Sequence, residues 1–433
     1  MINYSKTTNT TPSSAGYDRL YIEPFSIREN QIAALLVVLA TLYNAILAFL
    51  VARGINMGFS GVAAVEALLT ILTVSICLKT GLSRYDIFPI GLLWFVIVCS
   101  VAVSISHDRL YIGSIRNIAL ISAFSMLGTR MSVDYVRKAF AITSAIALIV
   151  LIWEIASVSS YAWFFAPARY YEATRGLGVS EFDTTGLSNG TVAYEGRFSL
   201  GIFSGARTSS IFLEQVSINA YSIVCIAFLN GLWGVLTKKE KALQILLIFL
   251  IVASNNARMG ALMCIVMPIG YFIFPFISRI LIPIVPLMII SVIFAFGSIL
   301  ANAVGDDLTG RLGVTYRLLS QFNLSDVFLG NPDKVNNAFD SGYAFVGFSL
   351  GLTGGIAYLS YLTLFPGFTT PAQRRLCWSV AIYILVWLTV GGTATFSVKT
   401  AALLWVLVGS MASLLQPRPT ATNNRPRVGQ MVR

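Results

Sequence analysis

The sequence predicts an all-α polytopic membrane protein of about twelve transmembrane helices, and three observations predict it. Of 433 residues, 56 % are hydrophobic and only 11 % are charged, whereas water-soluble domains run near ~25 % charged. Mean hydropathy is +0.76, far outside the range of soluble domains. The apolar residues also come in runs, separated by charged or turn-forming residues, and crossing a ~30 Å hydrocarbon core takes about 20 of them. A cytosolic enzyme, a nucleic-acid binder and a secreted scaffold are excluded. The net charge of +11 is no nucleic-acid signature here, because polytopic proteins gather Lys and Arg on their cytoplasmic side.

The polar segment 1–31 carries no small-residue cleavage site at the end of an apolar run and reads as a cytoplasmic tail, not a signal peptide. Candidate spans then follow at 32–52, 59–78, 87–105, 110–127 and 139–157, at 210–236, 242–256, 259–277 and 280–300, and at 342–364, 376–390 and 396–415. The span 110–127 contains Arg116, and 242–256 and 259–277 are short and broken at Asn255-Asn256-Ala257-Arg258. Between the groups lie two long loops, 158–209 and 301–341, and a second tail fills 416–433. An even number of spans puts both termini on one side. Eighteen of the thirty Lys and Arg fall in the tails and in the loops that join them, so that side is predicted cytoplasmic.

Loops beyond about 15 residues in compact proteins tend to carry function or to be disordered. The first contains Tyr161, Trp163, Phe164, Phe165, Tyr170, Tyr171, Phe182, Tyr194, Phe198 and Phe203, a composition too aromatic for disorder. It is expected to be packed, either as an interfacial aromatic belt or as a stacking surface for sugar faces or a lid over a lipid-linked substrate. In the second, Leu308, Leu312, Tyr316, Leu318 and Leu319 recur at near-helical spacing and predict a short amphipathic helix along the membrane surface. The cysteines, Cys77, Cys99, Cys225, Cys264 and Cys377, sit in apolar runs without CxxC spacing and read as small hydrophobes. His107 is the one histidine, so no zinc site is expected, and it is read as solvated.

Ionisable residues inside spans are costly and mark function by default. Here they are Glu66, Arg116, Glu154, Glu214, Arg258 and Lys399. All but Glu66 fall near the outer ends of their helices. A transmembrane ion pathway needs polar groups through the depth, so the clustering predicts a binding or reaction site at the outer surface. For Lys399 and Glu154 the sequence favours snorkelling to nearby water. Arg169, Arg175, Arg197, Arg207, Arg258, Arg311 and Arg317 share that side. Guanidinium groups grip phosphate oxygens with paired donors, which points to a substrate with a pyrophosphate head. Anionic lipid headgroups are the alternative, but they predict basic residues on the cytoplasmic rim.

Three local patterns then converge. Arg207-Thr-Ser-Ser-Ile-Phe-Leu-Glu214-Gln resembles the R-x-x-G/S-x-F-x-E/N-P pattern of bacterial Wzy-type polysaccharide polymerases and O-antigen ligases. Ser254-Asn-Asn-Ala-Arg258-Met-Gly-Ala is similar to their Ser-rich turn ending in arginine and small residues. Arg311-Leu-Gly-Val-Thr-Tyr-Arg317, then Phe328-Leu-Gly330, Asp340-Ser-Gly-Tyr343 and Gly347-Phe-Ser-Leu-Gly351-Leu-Thr-Gly354, resembles the run that closes their large periplasmic loop. The resemblance covers roughly residues 195–360 and is nearest to the xanthan-type exopolysaccharide polymerase subgroup. Gln215 stands where proline is commonest, and Asp340 stands where ligases carry a catalytic histidine.

The resemblance implies a glycosyltransferase C-like membrane enzyme with both long loops periplasmic, metal-independent, without a cofactor, and inverting. It would move a growing glycan from undecaprenyl diphosphate to a new lipid-linked repeat at the periplasmic face of the bacterial inner membrane. Asp340 or Glu214 would orient the acceptor hydroxyl and take its proton late, and Arg207, Arg258, Arg311 and Arg317 would bind the diphosphate. Membrane lipids, a chain-length regulator and export proteins are the further partners it implies. The competing expectations are an O-antigen-type ligase, a transporter of lipid-linked glycans and a non-catalytic chain-length factor. No P-loop or DxD pattern suggests nucleotide chemistry.

Overall fold

The computed structural model describes residues 25–108, 111–176, 186–188, 191, 200–203, 206–303, 305, 308–391 and 394–413. Most of both tails and the aromatic residues Phe182, Tyr194 and Phe198 lie outside them, as does Arg197. Among the described residues the chain is all helical. The helices are α1 Ile27–Ala52, α2 Phe59–Lys79, α3 Ile87–Ser106, α4 Gly113–Arg130, α5 Val133–Ala156, α6 Val158–Phe165, α7 Pro167–Arg175, α8 Gln215–Leu232 and α9 Lys238–Asn255. They continue with α10 Arg258–Ile273, α11 Ile284–Ala295, α12 Gly297–Leu300, α13 Leu308–Leu319, α14 Leu324–Leu329, α15 Gly342–Leu364, α16 Pro371–Trp387 and α17 Val398–Ser413.

Among the described residues, seven helical stretches are long and apolar enough to cross a membrane: α1, α2, α3 with its leading turn, α5, α8, α10 with its trailing turn, and α15. The other five predicted runs also hold helices, but α11, α16 and α17 are shorter than 18 residues. The remaining two, α4 and α9, carry charges. Three helices open on reciprocal caps readable in the sequence: Ser26 with Glu29, Thr237 with Glu240, and Thr370 with Gln373 followed by Pro371 in the first turn.

At the centre, α17 is buried along nearly its whole length and crosses α4 backbone to backbone. A β-carbon at Gly128 would strike the Val406 carbonyl, and one at Gly409 the Ser125 carbonyl. Small residues let helices approach this closely where the surroundings offer no hydrophobic drive. The start of α1 and the end of α17 lie at the same end of the bundle. There polar and basic side chains act as staples. Arg137 grips Glu240 at 3.0 and 2.8 Å, Gln373 reaches the Met411 carbonyl at 2.7 Å, and Arg375 lies 3.8 Å above the Tyr271 ring.

Arg130, read from the sequence as a loop charge, is instead fully buried. It holds both Asp86 oxygens at 2.9 and 2.6 Å, the Thr80 hydroxyl at 2.9 Å and the Gly81 carbonyl at 2.7 Å. One guanidinium thereby ties the ends of α2 and α4 to the start of α3.

At the opposite end the segment 158–209 is partly helical. α6 and α7 lie against α1, and Tyr161, Phe165, Tyr170 and Tyr171 are buried, whereas Trp163 is exposed. The sequence places an amphipathic helix at 308–319, and α13 forms there, but its buried positions are Gly310, Gly313 and Thr315, while Leu308 is half exposed. Small residues serve because α13 sits directly on the Leu300 and Gly305 carbonyls. His107 bonds the Ser106 hydroxyl at 2.9 Å and the Val103 carbonyl at 3.1 Å.

α15 is broken at Gly351, whose φ of 64° and ψ of −179° suit glycine alone. A β-carbon there would strike the Phe328 carbonyl, so the Phe328-Leu-Gly330 and Gly351 motif segments are two sides of one backbone contact. Gly351→Ala is expected to cost roughly 1–3 kcal/mol from conformation alone, with the overlap added. Melting of the detergent-solubilised protein measures this, and an unchanged midpoint would refute the contact.

Candidate active site

Residues 206–214 enter the bundle without regular helical bonding, beyond one 3-10 turn at Ser210–Phe212. Irregular backbone at membrane depth persists only where protein groups satisfy it, and here the partners come from four helices. Glu154 accepts from the Ser209 and Ser210 amides at 2.9 and 2.6 Å. Tyr161 donates to the Ser210 carbonyl at 2.6 Å, Asn255 to those of Thr208 and Gln215 at 2.7 and 3.1 Å, and Lys399 to that of Phe212 at 3.1 Å. Ser210 and Leu213 are held at φ 47° and 60°, conformations costly for side-chain-bearing residues and commonest at functional sites.

The segment delivers Glu214 to the start of α8. Its carboxylate accepts from Lys399 at 3.0 Å, Arg175 at 3.2 Å and Ser217 at 2.9 Å. Two cations thus meet the carboxylate, one buried and one partly exposed. The snorkelling expected of Glu154 and Lys399 is corrected: both are 2 % exposed or less, because each satisfies this segment. Gln215 takes the first helical position of α8, where proline is also favoured.

The first two sequence patterns meet. Thr208 and Ser254 hydroxyls bond at 2.7 Å, and Arg207 donates to the Asn256 carbonyl at 3.1 Å. Asn256 is the left-handed cap of α9, and Arg258, exposed, opens α10 beside it. The third pattern sits elsewhere. Arg311 pairs with Asp340 at 2.5 Å, with Asp340 70 % exposed. The Arg317 guanidinium is engaged by the Ala301 and Ala303 carbonyls at 3.1 and 3.0 Å, a structural use that the sequence did not anticipate.

A second charged group adjoins Glu214. Buried Glu66 accepts from the Tyr43 hydroxyl and from Arg116, and Tyr170 donates to Asn44 at 2.7 Å. Sequence reasoning singled out Glu66 and Arg116, and named Tyr170 and Tyr171 only among the aromatic residues of the first long loop, but did not name Tyr43 or Asn44. The available signal was the Tyr43-Asn44 pair interrupting the apolar run of α1. Among the described residues no group of three or more His, Cys, Asp or Glu is placed to hold a metal ion.

The fold and site define a helical membrane protein with a charged cluster of arginine, lysine and carboxylate at one end of its bundle. Comparison of the chain with protein-family models, curated proteins and solved structures finds no match.

Proposed function

We propose that the protein polymerises undecaprenyl-diphosphate-linked oligosaccharide repeat units into an exopolysaccharide, at the periplasmic face of the bacterial inner membrane. In this reading all twelve apolar helices cross, both termini are cytoplasmic, and a chain-length regulator and export proteins are neighbours. The observation that carries it is the docking of the Arg207–Glu214 segment onto the Ser254–Arg258 turn, with Glu214 facing Lys399 and Arg175. That cluster supports displacement of a diphosphate. The acceptor hydroxyl attacks the anomeric carbon, the glycosidic bond to diphosphate breaks with inversion, and the hydroxyl proton passes late to a carboxylate. Diphosphate is a weak base and leaves without a general acid, provided cations meet its growing charge. Arg207 and Arg258 are assigned that task, with Arg311 and Asp340 at the loop side. Arg317, bound to two carbonyls, is a weaker candidate than the sequence suggested.

Arg207→Lys and Arg258→Lys keep charge and lose the paired donors. Each is expected to cut polymer strongly at normal protein abundance, with lipid-linked repeats accumulating. Wild-type polymer from both variants would remove these residues from the mechanism, and transfer of single repeats to another acceptor would make the protein a ligase. Topology has its own test. Fusions at residues 180 and 325 are expected to report an extracytoplasmic location and one at 239 the cytoplasm, and a cytoplasmic signal at 180 would overturn the site.

A further inference from the structure

The chain turns sharply after α10. Its apolar stretch, long enough to cross a membrane, ends at Phe276, and α11 begins at Ile284. The turn between them therefore lies at the level where hydrocarbon gives way to headgroups. It mixes two characters: Phe276 is 87 % exposed and Ile280 73 %, while Arg279 between them opens a 3-10 turn, Arg279–Leu281. Bilayer hydrocarbon can cover the apolar pair while the long arginine reaches the polar layer.

Three guanidiniums gather at this turn, and two of them are anchored. Arg375 donates from Nε to the Tyr271 carbonyl at 2.9 Å. Arg374 donates from Nε to the Phe368 carbonyl at 3.2 Å and from Nη1 to the Pro275 carbonyl at 3.0 Å. The bonds to Tyr271 and Pro275 satisfy carbonyls at the end of α10, where cations also suit the helix dipole. Arg279 is used differently. Its guanidinium lies 5.8 Å from the Phe368 ring, and the Arg374 guanidinium lies 5.3 Å from the same ring. Among the described residues the Arg279 side chain donates to no protein group, and none of the three arginines meets a carboxylate. Arg130 and Arg137, at the same end of the bundle, are by contrast paired with Asp86 and Glu240. Like charges gathered without a counter-charge attract an anion.

We propose that Arg279 binds the phosphate of an anionic phospholipid whose acyl chains lie on Phe276 and Ile280, with Arg374 and Arg375 adding attraction. An uncommitted guanidinium offers paired donors to phosphate oxygens. Net charge selects the headgroup, since the trimethylammonium of phosphatidylcholine offsets its phosphate and nothing offsets that of phosphatidylglycerol. The exposed apolar neighbours favour a lipid over a water-soluble phosphate. The site needs only the membrane character of the fold and is independent of the polymerase reading.

The test is native mass spectrometry of the full-length protein released from phosphatidylcholine nanodiscs that contain phosphatidylglycerol as the minor lipid. Phosphatidylglycerol should be retained in preference to phosphatidylcholine, and equal retention would overturn the proposal. Arg279→Gln should weaken that retention roughly fivefold or more, the scale of one basic residue at a membrane surface. Arg279→Lys, which keeps the charge for folding and loses the paired donors, should fall between Arg279→Gln and wild type. Wild-type retention in both variants would overturn the site. Lys238→Gln with Lys239→Gln removes two exposed charges from the same end and should matter less than Arg279→Gln alone. An equal or larger loss there would make the attraction a diffuse field and also overturn the site. Glycerophosphoglycerol, the same headgroup without acyl chains, should compete poorly. Competition as strong as that of the intact lipid would reassign Arg279 to water-soluble phosphates and overturn the lipid.

Discussion

Glu214→Gln is expected to abolish polymer formation, with a loss on the order of 10²–10⁴-fold if the carboxylate takes the acceptor proton. The change preserves shape and the Ser217 contact but leaves Lys399 and Arg175 without the charge between them. Lys399 keeps the Phe212 carbonyl, so the segment retains one of its anchors. Protein abundance and polymer in the same cells separate chemistry from folding. The companion variant is Asp340→Asn. Its pair with Arg311 is exposed, and such pairs contribute about 0–1 kcal/mol, so stability should hold. A dead Asp340→Asn beside an active Glu214→Gln would move the role to Asp340, and activity in both would sink carboxylate catalysis.

The largest effect on stability is expected at the opposite end. Arg130→Ala leaves Asp86 buried and unpaired, and breaking a buried ion pair from one side costs about 3–5 kcal/mol. Replacing both partners, Arg130→Met with Asp86→Leu, removes the orphaned charge and should recover part of that loss. Thermal unfolding in detergent distinguishes the two. An Arg130→Ala protein that melts like wild type would mean that the clamp contributes nothing.

The helices were legible because apolar runs are local signals. Each predicted run holds a helix, yet among the described residues length and composition together mark seven as long and apolar enough to cross a membrane. α17 and α8, wrapped by the rest of the chain, tolerate polar residues that a lipid-facing helix cannot. The charges at the outer ends were also legible. Their partners were not, because Lys399 meets Phe212 across 187 positions and Arg130 meets Asp86 across 44. Local periodicity carries no information at such separations. Snorkelling was the reasonable expectation for an isolated charge. What defeats it is a non-helical segment whose amides and carbonyls need Glu154 and Lys399 more than water does.

The break at Gly351 gives α15 one joint and two rigid arms. The outer arm, Gly342–Leu350, is fastened to the loop by the Asn331 amide on the Phe348 carbonyl at 2.8 Å, to α16 by Tyr343 on Leu388 at 3.1 Å, and to α4 by Ser114 on Ser349 at 2.5 Å. The inner arm is fastened further along the same α4, through the Tyr361 hydroxyl to Ser125 at 2.7 Å. Both arms are thereby tied to α4, the outer through Ser114 and the inner through Ser125, so the break redirects α15 without freeing either half. Ser114 belongs to the same turn of α4 as Arg116, so the anchor of the outer arm sits beside the partner of Glu66.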